Sequence, residues 1–423
     1  MSFAALWDSL LPIGRDPVTG GYRRFCWSPA ELECRAWFET HAAERRLRVA
    51  ADGNGNLFAW WDVPGDGGAG PSGGSGRSAP RASTVGLPAV ATGSHLDSVP
   101  DGGAFDGPLG VVSGFAAIDE LRASGFQPAR PIVVCAFAEE EGGRFGVACL
   151  GSRLLTGAID PETARGLRDG TGTTFGDAMQ AAGPDPARLG PDDDLLGRIA
   201  TYVELHVEQG RALADLDAAV GLAESIWPHG RWRLDFTGRA DHAGTAVLAD
   251  RADPMLPFAH TVLAARQAAA ELGTRATIGK VRAEPGAANA VSSSVSAWLD
   301  ARAAGPGLMD ATVDRVLTAA REAAESQSVA FGWKKESVTP AVSFDPELRG
   351  RLAAALDGQG IAAPVLPTGA GHDAGILAAR LPTAMLFVRN PTGVSHSPAE
   401  HAEPADCAAG VTALAAVLRE LAG

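Results

Sequence analysis

The sequence predicts an α/β fold: a domain built on a mostly parallel sheet, interrupted by an inserted α+β domain. Three observations predict it. Residues 131–138 (PIVVCAFA) and 199–206 (IATYVELH) are near-continuous apolar runs, the composition of strands buried on both faces. Near residue 217 the rhythm changes to alternating strands and two long helical stretches, and near 340 the α/β character returns. At 423 residues the chain is also too long for one ordinary core. The expected division is 1–216 with 340–423 for the larger, discontinuous domain and 217–339 for the insertion.

In the first part, 89–93 reads as a short strand after Pro88 and 110–123 as a helix, followed by the two buried strands. Residues 64–83, rich in Gly, Pro and Ser, read as a flexible surface insertion between two strands. In the second part, 231–237 (RWRLDFT) alternates like a half-exposed strand, 254–272 and 308–326 are helical, and 276–282, 294–302 and 328–336 are strands. The last part reads as a helix at 346–356, a strand at 383–388 and a final helix at 408–421.

The charge of −14 argues against nucleic acid or an anionic membrane as partner, because phosphate binding needs a basic face. It does not exclude a small anionic substrate, since a few cations in a cleft outweigh the mean field. No run of about 18 apolar residues is present, so no transmembrane helix is expected. The start, MSFAALWDSLLPIGRDP, lacks a basic n-region, and a cytoplasmic location is expected. Five cysteines without a CxxC pair argue against a disulfide scaffold or a Cys-rich zinc site; Cys135 and Cys149 read as buried, inert thiols.

Candidate chemistry sits at strand ends, where open α/β sheets place their sites. His95 and Asp97 lie two apart after the first strand, and Asp106 follows in a Gly-rich loop. His95 suits a metal, with Asp97 holding its other ring nitrogen. Glu139, Glu140 and Glu141 follow a buried strand; a divalent cation would relieve their repulsion, and a solvated acidic turn is the bland alternative. His206 ends another apolar strand, and His396 lies in a turn after 383–388; each taken alone is more often an ordinary histidine. Together these mixed imidazole and carboxylate groups suit zinc, manganese or cobalt. One shared Asp fits two cations about 3.5–4 Å apart.

The motifs HLDSVPDGGAFDGPLGV, EEEGGRFG, ELHVEQG, ADHAGT, GAGHDAG and GVSHSP resemble those of the dinuclear metallohydrolases related to aminoacylases and carboxypeptidases. They resemble most the branch holding N-carbamoyl-L-amino-acid hydrolases, β-ureidopropionase and allantoate amidohydrolase. The resemblance runs from about residue 20 to the C-terminus, apart from the Gly/Ser insertion. It implies that His95, Asp106 and His206 bind one divalent metal and Asp106, Glu141 and His396 the other. Glu140 would be the general base. The insertion would be a ferredoxin-like lid through which a homodimer forms. There His242 would stabilise the oxyanion from the partner subunit, or be a surface histidine beside Asp241. Asn289 and Arg302 would grip the substrate's carboxylate, the alternative for Arg302 being a strand-end salt bridge. Gln209 and His372 are further substrate-contact candidates.

Two departures stand out. The lid motif continues Ala246-Val-Leu248 where the family usually has Thr-Pro-Met, and Arg389-Asn-Pro391 replaces a common Pro-Ser. Arg389 would meet a second acidic group on the substrate, which leans the reading to allantoate, or would be a salt-bridged surface cation. The implied activity is hydrolysis of a linear ureido C–N bond with release of ammonia. The alternatives are an N-formyl or N-formimidoyl acidic amino acid or a dipeptide as substrate on the same site, and an inactive binding protein on this fold.

Overall fold

The computed structural model describes residues 2–63 and 86–423. The Gly/Ser-rich segment read as a surface insertion lies outside the described residues. Two compact units emerge: Met1–Glu224 with Phe344–Gly423, and Ser225–Ser343. The boundaries differ from those expected because strand Val220–Ile226 belongs to the larger sheet, so the insertion starts later.

The first unit is built on a nine-stranded sheet. Its centre is four parallel strands: β1 (Ala89–His95), β2 (Ile132–Phe137), β3 (Ile199–Val207) and β4 (Thr383–Val388), in the order β2-β1-β3-β4. Antiparallel strands flank this centre: Leu57–Trp61 beside β2 and Val220–Ile226 beside β4. Every residue of β1, β2 and β4 is buried. That explains the unbroken apolar runs: both sheet faces are covered, so neither can be polar. Helix α1 (Pro108–Ala123) starts with proline at its first turn, where no backbone donor is lost, and packs on β1. Helix α2 (Pro404–Ala422) packs on α1 and β4. It begins earlier than its apolar periodicity suggested, because Pro404 opens it.

The main sheet of the second unit comes from a β–α–β–β–α–β run, with the short strands Asp241–His242 and Ala290–Val291 paired apart from it. Its four strands are all antiparallel, in the order Ala330–Thr339, His229–Thr237, Ser294–Arg302, Arg275–Glu284. Val295, Leu299, Val313 and Val316 share its core with Trp232 and Phe236. Ser294–Arg302 alternates strictly, so Trp298, Asp300 and Arg302 share the face away from that core. The strand expected at 328–336 runs Ala330–Thr339, since Ser328 takes φ +54° just after the preceding helix. No helix among the described residues is long and apolar enough to cross a membrane.

Candidate metal centre and active site

His95 is the last residue of β1, and His206 lies near the end of β3. Each ring points its Nδ1 at a backbone carbonyl, of Asp97 at 3.1 Å and of Val207 at 2.9 Å. A carbonyl only accepts, so Nδ1 carries a proton, and each ring in its neutral form presents a lone pair at Nε2. Both Nε2 atoms are buried and have no hydrogen-bond partner among the described residues. Asp106 faces them: its Oδ1 lies 3.5 Å from His95 Nε2 and 3.1 Å from His206 Nε2. Its Oδ2 lies 3.4 Å from His396 Nε2, which is also 3.4 Å from Glu141 Oε2. Two donor sets result, His95–Asp106–His206 and Asp106–Glu141–His396, each with its atoms within 4.8 Å of one another. Gly107 makes the first possible: at φ +86°, a Cβ there would stand 2.4 Å from the His95 ring.

The donor set fits divalent cations. Burial disfavours charge on His206, yet the Asp106 carboxylate 3.1 Å from its Nε2 overcomes this and pushes the imidazole up to about 9. Burial and the charge of Asp106 push Glu141 well above the ordinary carboxylate range. Groups so placed strain towards protonation, and a cation between them removes that demand.

The three successive glutamates divide their roles by backbone geometry. Glu139, at φ +52°, accepts the N–H groups of Arg144 and Phe145 at 3.1 and 2.7 Å, closing the turn. Glu140 places Oε2 3.5 Å from His95 Nε2, while its Oε1 accepts the Cys149 thiol at 3.1 Å. Glu141 turns to His396. Burial pushes the Cys149 thiol well up, so it stays protonated and donates. The sequence carried no signal for this contact, and Cys149 had read as inert. Asp97 also differs from expectation. Its backbone carbonyl takes the His95 Nδ1, with the carboxylate 3.6 Å away, and the carboxylate instead accepts the N–H groups of Glu140 and Glu141 at 3.2 and 3.1 Å.

Two other buried carboxylates were missed as site residues. Glu204 accepts from Ser94 Oγ at 2.7 Å and from the Ala374 N–H at 2.9 Å. Its place two before His206 on β3, hence on the same strand face, was the available signal. Glu400 accepts the N–H groups of Phe105 and Asp106. Its sequence neighbourhood, a polar turn, gave none.

Gln209, expected to meet substrate, instead reaches the donor set: its amide nitrogen lies 2.6 Å from Asp106 Oδ2 and 3.3 Å from His396 Nε2. His372 is buried with its ring centroid 4.5 Å from that of His206, and burial holds it neutral. Arg389 follows its second reading. Nε and Nη2 bind both oxygens of buried Asp406 at 2.8 Å, and Nη1 binds Asp217 at 3.0 Å. With Nε, Nη1 and Nη2 all held by acids of the protein, the guanidinium is spoken for, and the lean to allantoate loses its support. Arg389→Ala is therefore expected to destabilise by about 1–3 kcal/mol, through the charge left on Asp406, and to leave KM unchanged. Urea unfolding alongside steady-state kinetics checks this; a raised KM at unaltered stability would return Arg389 to the substrate.

In the second unit, Asp241–His242 pairs with Ala290–Val291, and the Asn289 carbonyl accepts the Ala243 N–H at 3.0 Å. This brings Asn289 and His242 together. The exposed His242 accepts the N–H groups of Gly244 and Thr245 on Nδ1, at 3.0 and 3.2 Å. The neutral ring must then carry its proton on Nε2, ready to donate. Arg302 makes the strand-end salt bridge given as its alternative, to Asp300, with Nε 2.7 Å from Oδ1 and Nη2 3.2 Å from Oδ2.

A family model described as peptidase family M20/M25/M40 matches residues 91–420. The chain is 32% identical over 421 residues to the N-carbamoyl-L-amino acid amidohydrolase of Geobacillus stearothermophilus, covering 99% of this chain and 98% of that protein. It is 31% identical over 421 residues to the allantoate amidohydrolase of Escherichia coli K12, covering 98% and 96%. A solved structure, a hydantoinase/carbamoylase family amidase from Burkholderia vietnamiensis, matches with a TM-score of 0.86 at 26% identity, over 100% of this chain and 98% of that one. Since the match runs from β1 into the last helix and the likeness to these relatives is end to end, the chain belongs to peptidase family M20/M25/M40.

Proposed function

We propose that this chain is a metal-dependent amidohydrolase that cleaves the linear ureido C–N bond of a small N-carbamoyl acid and releases ammonia. The observation that carries this is Asp106 standing between two donor sets, with the carboxyl of Glu140 3.5 Å from His95 Nε2. His95, Asp106 and His206 would hold one cation and Asp106, Glu141 and His396 the other. Such a pair polarises the carbonyl and lowers the pKa of water. Glu140 takes a proton from the attacking water and returns it to the leaving nitrogen. The C–N bond breaks, ammonia leaves, and the carbamate product loses carbon dioxide.

For the second unit, a ferredoxin-like lid in this reading, the role is holding substrate. Arg302, preset by Asp300, and Asn289 take the carboxylate, and His242 donates from Nε2 to the developing oxyanion. Arg302→Ala is expected to raise KM roughly 10–100-fold with kcat little changed. An unchanged KM would remove Arg302 from substrate binding. The reading includes a homodimer through this unit, and sedimentation finding a fully active monomer would contradict it. The relatives' names offer N-carbamoyl-L-amino acids and allantoate as substrates. The test is ammonia release by purified protein on a panel of these, N-formyl- and N-formimidoyl-glutamate, and dipeptides. The ureido reading fails if only the latter compounds turn over.

A further inference from the structure

We propose that Glu400 is a positioning residue that latches the Asp106 loop to the His396 turn and thereby sets the affinity of the second cation position. This rests on the reading above in which Asp106, Glu141 and His396 hold a cation.

Glu400 is 5% exposed and binds two segments of chain at once. Its Oε1 accepts the backbone N–H groups of Phe105 and Asp106, both at 2.9 Å, across 295 and 294 residues of sequence. Its Oε2 lies 3.0 Å from the Ser395 hydroxyl, which also lies 3.1 Å from Asp106 Oδ2. One hydroxyl proton thus serves two carboxylates. The loop is shaped around this carboxyl group: a Cβ on Gly103 would stand 2.3 Å from Glu400 Oε1.

The His396 turn needs such a tie. His95, Asp106 and His206 are buried on or beside the central sheet, whereas the His396 side chain is 50% exposed and its backbone sits at φ +54°. A non-glycine residue in that region persists only where its surroundings hold it. Asn390 holds the front of the turn, donating to the Val394 carbonyl and accepting the Thr392 and Gly393 N–H groups. Glu400 holds the back, where its own N–H donates to the Ser397 carbonyl at 3.0 Å. A neutral amide would accept the same two backbone donors, but its nitrogen could not accept the Ser395 hydroxyl, so the second carboxyl oxygen is what ties Ser395 to the loop.

The test uses the full chain and zinc. Competition against a chelating dye measures the affinity of each zinc equivalent in wild type, E400Q, E400A, S395A and H396A, and melting of the metal-free proteins reports folding. The latch predicts that E400A weakens the second equivalent about 10–100-fold, with E400Q and S395A between it and wild type. The first equivalent changes less, because His95 and His206 are held by their own strands. Should E400A fail to fold, E400Q and S395A carry the comparison. A purely structural role would lower the metal-free melting temperature and leave both zinc affinities at wild-type values, which overturns the proposal. If H396A weakens the second equivalent and the Glu400 variants do not, the latch alone falls. If H396A also binds two equivalents normally, the ligand assignment fails and takes the latch with it.

Discussion

Replacing Glu140 by glutamine is expected to lower turnover by about 10²–10⁴-fold while metal content stays at the wild-type level. Glutamine matches the shape of the buried side chain and still offers an oxygen to the Cys149 thiol, but its amide cannot take a proton from water. Glu140 belongs to neither donor set, so the cations keep their ligands. Burial pushes its carboxyl up to about 7, against the pull of His95, with Asp97 and Asp106 adding to the rise. Bound cations would draw it lower. The rate should therefore fall on the acid side as Glu140 gains its proton, with a midpoint below that value. Ammonia release together with metal analysis checks the prediction. Wild-type turnover in the variant would remove Glu140 from the mechanism, and lost metal would make it a ligand.

Chelation should abolish turnover and lower the melting temperature, more so as pH rises. The sign follows from the groups involved. Burial and the charge of Asp97 hold Glu139 up at about 8, and Glu140 is held at about 7, both above the ordinary 4.5 of an unfolded glutamate. The folded chain keeps protons that the unfolded chain releases, so stability is lost as pH climbs from about 4.5 to 8. His206, at about 9 against an unfolded 6.5, acts the same way: its contribution is present below 6.5 and lost by 9. Cations reverse the demand, because their ligands must be deprotonated and binding tightens with pH. At a thousandfold excess over Kd they add about 4 kcal/mol. Melting curves from pH 5 to 9, with and without chelator, should diverge steadily. A metal-free protein that gains stability over that range would contradict the account.

Much of the frame was legible before any coordinates. The apolar runs 131–138 and 199–206 hold strands Ile132–Phe137 and Ile199–Val207, because such a run, bounded by turn residues, suits a strand buried on both faces at the centre of an α/β sheet. Strands Ser294–Arg302 and Thr383–Val388 and helix Leu308–Ser326 were read with their observed ends, since alternation and helical periodicity are local properties. The boundary near 217 was less accurate because strand Val220–Ile226 is claimed by a neighbour, β4, more than a hundred residues later.

The same distinction governs the site. The sequence carried the chemical types, imidazoles and carboxylates at strand ends, because a side chain's chemistry is a property of its own residue. It could not carry pairings. Arg389 read as either a substrate contact or a salt-bridged cation, and only Asp217 and Asp406 on its guanidinium decide for the second. Cys149 is the buried, inert thiol that the sequence suggested, but its hydrogen bond to Glu140 was not legible there, and Glu400 lay unnoticed in a turn 295 residues from the loop it holds. Hydrogen bonds and ion pairs depend on a few ångströms of distance in space, a quantity that folding sets and that position along the chain does not encode.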